Sequence, residues 1–141
     1  MRWARFLSSP LLPDLGLLTI RLWFGLALAF GHGLSKVLDV GGFAAGVGRR
    51  GIPLPEILGP AAAASELLGG LLLAIGLFAR PSAFFVVVTM LVAALFVHAG
   101  DPFAKKELAL CYAMAALALL LSGAGRFSVD AWWSNKRASA D

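Results

Sequence analysis

Four ionisable side chains lie in stretches of the chain that are otherwise apolar. Arg21, His32 and Lys36 belong to the first such stretch, and Glu66 lies near the centre of the second. On an α-helix, at about 100° per residue, the three basic residues fall within a sector of about 60°. Ionisable groups inside a membrane are costly, so they usually face the interior of a helix bundle and find partners there. The pattern predicts a polar seam in which Arg21 pairs with Glu66.

A second group of polar residues is expected near one membrane surface. Most of its members stand where an apolar stretch ends or begins on one side of the predicted bundle. One member, a cysteine, lies one helical turn deeper in the membrane. The members are His32, Lys36, His98, Glu107 and Cys111. With the predicted ion pair as its floor, this group would line a pocket in one half of the bundle.

Such a pocket suits proton-coupled chemistry. Histidine titrates near neutral pH, and an apolar site brings a carboxylate into the same range. Reduction of a quinone headgroup needs hydrogen-bond donors at its carbonyls and a route for protons, while the bilayer gives access to an apolar tail. The residue types therefore predict a quinone site with two sets of side chains. The proton-relay set is His32, Glu66, His98 and Glu107, and the headgroup-binding set is Arg21, Lys36 and Cys111.

Each of these residues also has a structural explanation. The pairing of Arg21 with Glu66 is equally consistent with a clamp between helices. Charged residues at helix ends reach water by snorkelling, and Glu107 suits a helix N-terminus, where a negative charge is favourable. Cys111 is typical of a small core residue. Two histidines and a glutamate are enough ligands for zinc, but their spacing is not diagnostic, and we predict no metal.

The composition places these residues in a membrane. The chain is 60% hydrophobic and 14% charged, whereas soluble domains are about 45–50% apolar and about 25% charged. Four stretches approach the ~20 apolar residues that span a bilayer: 15–36, 57–78, 82–99 and 107–122. We therefore predict an all-α membrane protein, a four-transmembrane-helix bundle. Gly69 and Gly70 would let a second helix approach the second span closely.

The remaining segments are assigned around this membrane domain, which covers residues 14–130. Asp14 is predicted to cap the first span. A short interfacial helix is predicted between spans one and two, over residues 43–50, with Phe43 buried and Arg49 and Arg50 toward headgroups. Residues 1–13 form a basic leader, and residues 131–141 a polar tail.

The basic residues favour cytoplasmic termini. An even number of spans places both termini on one side, together with Arg2, Arg5, Arg80, Arg126, Lys136 and Arg137. The other side has Lys36, Arg49, Arg50, Lys105 and Lys106. This excess of one follows the positive-inside rule. The basic residues are too scattered for a nucleic-acid surface, and the expected location is a bacterial inner (plasma) membrane.

Several segments, taken in order, resemble the DoxX family of small bacterial membrane proteins. They are Arg21 with Gly31-His32-Gly33-Leu34-Ser35-Lys36, then Phe43-Ala44, Gly51-Ile52-Pro53, Glu66-Leu67-Leu68-Gly69-Gly70, Met90, His98, Glu107-Leu108-Ala109-Leu110, and Gly123 to Asp130. The resemblance covers residues 15–130. It implies a four-helix membrane bundle, and DoxX proteins are similar to the DoxD subunit of thiosulfate:quinone oxidoreductase. It also implies a soluble redox or thiol-handling partner.

Two functions of different classes follow. The first is a quinone-linked redox subunit of a membrane oxidoreductase system; since the chain holds no flavin, haem or iron–sulfur motif, electrons would come from a partner or a small reductant. The second is a non-catalytic scaffold or assembly factor, in which the polar residues only lock the bundle. Whether the chain is itself an enzyme stays open, and a homo-oligomer is compatible with either. A transporter is weaker, because the sequence has no internal repeat.

Overall fold

The computed structural model describes Ser9 and residues 11–139, and within those residues it is helical, with no strand. Most of the predicted leader, residues 1–8 and 10, lies outside the described residues. The helices of the described part are α1 (Leu11–Leu38), α2 (Val40–Arg49), α3 (Pro55–Ile75), α4 (Ala79–Val97), α5 (Phe103–Ser122) and α6 (Val129–Ala138).

Three of these helices are long and apolar enough to cross a membrane. They are α1, α3 and α4, with 28, 21 and 19 residues, and they correspond to the first three predicted spans. Helix α5 has 20 residues, but its first five residues include Lys105, Lys106 and Glu107, which leaves residues 108–122 without a charge. The fourth span therefore stays a prediction.

Helix α1 begins earlier than predicted. The backbone N–H of Leu11 donates to the Ser9 hydroxyl oxygen at 3.3 Å, so the side-chain acceptor at the start of α1 is Ser9 and not Asp14. The Asp14 carboxylate instead accepts a hydrogen bond from the backbone N–H of Arg126 at 3.0 Å. Asp14 thus joins the start of α1 to the segment that follows α5.

The core is built where α1 packs on α3 and α4 packs on α5. Its buried residues are Leu28, Leu73, Ala79, Ala83, Val86, Met90, Tyr112, Ala113, Ala116, Leu119 and Ala124. The close approach expected from glycine is confirmed at Gly70: a Cβ there would lie 2.7 Å from the carbonyl oxygen of Gly25 on α1. Small residues let helix backbones touch in a membrane, so this contact sets how α1 and α3 align.

A helix, α2, lies where the short interfacial helix was predicted. The Asp39 side chain caps it, accepting from the Gly42 N–H at 3.1 Å. Ala44 is buried, and it packs on Gly59 of α3, where a Cβ would lie 2.8 Å from the Ala44 Cα. Helix α2 is therefore fixed against α3; its position at a membrane interface stays a prediction.

Each of the three long apolar helices contains one π-helical turn: Ala29–Gly33 in α1, Ser65–Gly69 in α3 and Ala93–Val97 in α4. Such turns are rare and frequently lie at functional sites. His32 and Glu66 are inside two of them, and His98 follows the third directly. No pattern in the sequence predicted these turns.

Candidate functional site

Glu66 and Lys36 form the central ion pair of the structure. The Glu66 side chain is 2% exposed, and Lys36, at 27%, places its Nζ 2.5 Å from both carboxylate oxygens. The Lys36 Nζ also lies 5.0 Å from the centre of the Phe43 ring of α2. A buried charge needs such a partner, since a carboxylate alone in an apolar interior is costly.

The alignment of α1 and α3 explains this pairing. Gly25 lies against Gly70, and Gly33 lies against Glu66, where a Cβ would be 2.7 Å from the Glu66 carbonyl carbon. The two helices therefore run in opposite directions along a backbone contact. Lys36 is three residues beyond Gly33 and reaches over Glu66.

The predicted pairing of Arg21 with Glu66 is wrong. Arg21 is twelve residues from Gly33, which is about 18 Å along a helix at 1.5 Å per residue. Its guanidinium, buried with the residue 2% exposed, instead donates to two carbonyl oxygens that follow α5, of Ala124 at 3.1 Å and of Phe127. Arg21 is thus a clamp, but it joins α1 to the 124–127 segment.

This separation predicts additive effects. Arg21→Met should destabilise the fold by about 2 kcal/mol, because two hydrogen bonds from a charged donor are lost. Arg21→Met combined with Glu66→Gln should equal the sum of the single changes within about 0.5 kcal/mol, as for residues that share no partner. Unfolding by SDS in mixed micelles measures all three variants. If the double variant were less destabilised than Arg21→Met alone, the result would support an ion pair between Arg21 and Glu66.

Two aromatic side chains complete the surroundings of the ion pair. The Tyr112 ring of α5 meets the His32 ring edge-on, with centroids 5.5 Å apart, and the Phe24 ring at 5.7 Å. Tyr112 is 8% exposed and within electrostatic reach of Glu66. Among the described residues its hydroxyl has no hydrogen-bond partner.

His98 is held outside this cluster. Its Nδ1 lies 2.7 Å from an Asp101 carboxylate oxygen, and Lys105 Nζ lies 3.6 Å from the other oxygen. The hydrogen bond from His98 is the main reason that the pKa of Asp101 is lowered from its ordinary value of 3.8. This loop cluster lies near Arg50, whose guanidinium donates to the Val97 carbonyl at 3.4 Å.

The Asp101 contact makes a testable prediction about pH. A carboxyl group whose pKa is lowered by folding stabilises the fold above its unfolded pKa, and this stabilisation is lost as the pH falls through the lower, folded value. His98→Gln should therefore raise the pKa of Asp101 toward 3.8. Carbon-13 NMR of labelled aspartate carboxyls measures this, with Asp39 as the internal reference. An unchanged Asp101 titration in His98→Gln would show that the contact does not form.

Glu107 and Cys111 do not join the ion pair either. Both are exposed, and among the described residues Glu107 forms no ion pair. The single predicted pocket is therefore divided: Lys36 pairs with Glu66 and His32 packs on Tyr112, whereas Arg21 and His98 have other partners. In the part of the chain that the structure describes, no three His, Cys, Asp or Glu side chains could hold a metal ion together.

We call Lys36, Glu66, His32 and Tyr112 the seam site. Sequence reasoning missed Tyr112 and the role of Phe43. One signal was available: Tyr112 is the only tyrosine of the chain and stands in an apolar stretch, where a hydroxyl usually needs a partner. A separate apolar groove of about 460 Å³ lies between α3 and α4; its lining includes Ser65, Leu72 and Phe85 but none of the seam site.

The exterior of the bundle is largely apolar. Large apolar side chains are exposed on all four long helices, among them Trp23, Phe30, Leu68, Phe85, Phe96 and Leu121. Soluble proteins rarely expose so much apolar surface, while Arg21 and Glu66 are buried inside. With three helices of membrane-spanning length, these features define a multi-pass helical membrane protein that associates with the lipid bilayer.

The family prediction is confirmed. The DoxX family model matches residues 16–99, more than half of the chain, and the chain belongs to the DoxX family. The match covers α1 from Gly16 onward and all of α3 and α4, and therefore three of the four seam-site residues; Tyr112 lies beyond it. No curated protein and no solved structure matches the chain.

Proposed function

We propose that this DoxX protein is the membrane subunit of a quinone-linked redox system, with the seam site as its quinone-headgroup site. The observation that supports this most is the Glu66 carboxylate, 2% exposed and paired with Lys36 at 2.5 Å. A purely structural bundle has no need of a buried ion pair, since apolar residues of similar size are often as stabilising.

The seam-site residues have the properties that a quinone headgroup requires. A quinone accepts two electrons and two protons and leaves as a quinol. The Tyr112 hydroxyl and the Lys36 ammonium are the hydrogen-bond donors of the site. Glu66, whose carboxylate pairs with Lys36, would pass a proton, and the partly exposed Lys36 would join it to the surface.

The remaining predicted residues take more distant roles in this proposal. His98 and Glu107 would exchange protons with water at the end of the bundle, and Cys111 would not contact the headgroup because it is exposed. Arg21 would hold the bundle together through the 124–127 segment. Electrons would come from a soluble redox or thiol-handling partner.

The proposal also includes the membrane topology. Helix α5 would be the fourth span, because Leu108, Met114 and Leu121 are exposed along its length and its three charges are confined to its first five residues. Residues 108–122 are about 22 Å long at 1.5 Å per residue, so Lys105 and Lys106 would reach headgroups by snorkelling. Four spans would place both termini in the cytoplasm, with the protein in a bacterial inner membrane.

One observation favours the second candidate function, a scaffold or assembly factor. Three charged residues toward the chain-terminal end bind within the bundle: Arg21, Asp14 and Asp130 each accept from or donate to backbone atoms of another segment. Such contacts build a rigid platform and perform no chemistry. The two functions differ in whether the seam site holds a ligand.

Solvent extraction of the protein, purified in mild detergent, tests the proposal by mass spectrometry of bound quinone. We expect about one quinone per wild-type chain and less than a tenth of that in Glu66→Gln, since a lost charged hydrogen bond is worth about 1.5–3 kcal/mol. Glu56→Gln is the matched control, because Glu56 is an exposed glutamate in the first turn of the same helix.

Tyr112→Phe adds a second variant that should fold normally. Its hydroxyl has no partner among the described residues, so its loss should change unfolding by less than about 0.5 kcal/mol while reducing bound quinone. Quinone at equal levels in wild type, Glu66→Gln and Tyr112→Phe would exclude the seam site. No quinone in any of them would favour the scaffold.

A further inference from the structure

Helix α6 is attached to the bundle at its first turn. The Asp130 carboxylate accepts from the backbone N–H groups of Phe78 and Ala79, both at 2.9 Å, and the Asp130 N–H donates to the Gly76 carbonyl at 3.0 Å. The Ser128 hydroxyl caps the helix, accepting from the Ala131 N–H at 3.1 Å. The start of α6 is therefore fixed to the turn between α3 and α4.

Beyond Ala131, α6 has almost no packing of its own. Residues 132–139 are all exposed, with Trp132 at 55% and Trp133 at 45%. The Trp133 ring meets the Phe78 ring of the bundle, with centroids 6.4 Å apart. Isolated helices shorter than about 12–15 residues are marginal in water, so a helix of 10 residues needs another surface to stabilise it.

The exposed side chains of α6 specify what that surface is. Lys136 Nζ lies 4.1 Å from the centre of the Trp132 ring, and the Arg137 guanidinium lies 5.9 Å from that of Trp133. Tryptophan rings next to basic side chains are typical of segments at the headgroup level of a bilayer. The exposed Phe78 ring joins these tryptophans to the apolar exterior of α4.

Among the described residues the net charge at this end is positive, because four basic side chains are exposed while the two carboxylates, of Asp14 and Asp130, are partly buried. Asp130, the one acidic residue within α6, is bound to two backbone N–H groups, and Asp14 accepts from Arg126. The exposed basic residues are Arg80, Arg126, Lys136 and Arg137. Anionic lipid headgroups supply the complementary charge.

We infer that α6, together with Arg80 and Arg126, is a binding surface for anionic phospholipid headgroups. The helix lies at the membrane surface, Trp132 and Trp133 enter the interface, and the four basic residues contact phosphate groups. Since anionic lipid is concentrated in the cytoplasmic leaflet, the same surface would hold the chain ends on that side. This inference does not depend on the quinone proposal.

Quenching of tryptophan fluorescence by brominated lipid tests it. Trp3→Phe and Trp23→Phe leave Trp132 and Trp133 as the tryptophans of the full chain. The protein is reconstituted in bilayers of phosphatidylcholine and phosphatidylglycerol, with bromine on one lipid or the other. We expect brominated phosphatidylglycerol to be enriched about twofold or more around these residues over its bulk fraction, as for a cluster of basic residues at an anionic surface.

Charge-removing variants decide the outcome. Lys136→Gln with Arg137→Gln should abolish the enrichment, whereas Lys105→Gln with Lys106→Gln, at the other end of the bundle, should leave it unchanged. If the two brominated lipids quenched equally in the protein that keeps all its basic residues, the inference would be overturned. It would also be overturned if neither lipid quenched the tryptophans and acrylamide in the aqueous phase did. Helix α6 would then lie in water, free to bind a protein partner.

Discussion

Lys36→Met should destabilise the protein by about 3 kcal/mol, because it leaves the Glu66 carboxylate buried without its counter-charge. This is the low end of the range for breaking a buried pair, since Lys36 is itself 27% exposed. Glu66→Gln should cost only about 1 kcal/mol, because the freed Lys36 side chain extends toward the surface. Equilibrium unfolding by SDS in mixed micelles measures both.

The combined change gives the sharpest result. Lys36→Met with Glu66→Gln should be more stable than Lys36→Met alone by about 2 kcal/mol, because no charge is left unpaired. Lys105→Met is the matched control, since Lys105 is 67% exposed, and it should change stability by less than about 0.5 kcal/mol. If Lys36→Met and Lys105→Met behaved alike, the Lys36–Glu66 pair would not be part of the folded protein.

Gly25→Ala should destabilise the fold by about 2–3 kcal/mol, because the added methyl group overpacks the contact between α1 and α3. Its Cβ would lie 2.5 Å from the Gly70 carbonyl oxygen and 2.9 Å from the Ala74 nitrogen, and both are backbone atoms that cannot rotate away. The helices would have to separate, so the same variant should also lose bound quinone.

Gly31→Ala is the matched control for this prediction. Gly31 lies on the same helix, and a Cβ there meets nothing within 4 Å. Alanine should therefore be neutral or stabilise the helix by up to about 1 kcal/mol, since it restricts the unfolded chain more than glycine does. The measurement is again unfolding in mixed micelles; equal effects of the two substitutions would contradict the close backbone contact.

The membrane character and the family were predictable from the sequence because they depend on local patterns. The apolar stretches coincide with α1, α3 and α4, since hydropathy over about 20 residues reports directly on a membrane span. The end of the helix between the first two spans follows a local signal as well, because Gly51, Pro53 and Pro55 come directly after it.

The partner of Arg21 was not predictable in this way. Burial of a charge can be inferred from its position in an apolar helix, but the partner depends on how the helices align. That alignment is set by the Gly25–Gly70 contact, and the actual acceptors are carbonyls more than 100 residues away, at Ala124 and Phe127. Backbone carbonyls carry no signal of their own in a sequence.

The π-helical turns account for the rest of the difference. An extra residue in a turn shifts every later side chain around the helix, so a uniform 100° per residue does not hold past Ala29 in α1 or Ser65 in α3. Lys36 and Glu66 both lie after the start of such a turn. Their pairing, and the position of Tyr112 beside His32, follow from packing in three dimensions.

Photolabelling with an azido-quinone tests the central claim, that the seam site binds the quinone headgroup. Labelled wild-type protein is digested, and the modified peptides are mapped by mass spectrometry with and without excess unlabelled quinone. We predict competed label on the α1 peptide that contains His32 and Lys36 and on the α5 peptide that contains Tyr112, with both lost in Glu66→Gln. Label that resists competition, or that falls on the α3–α4 groove around Ser65 and Phe85, would contradict the account.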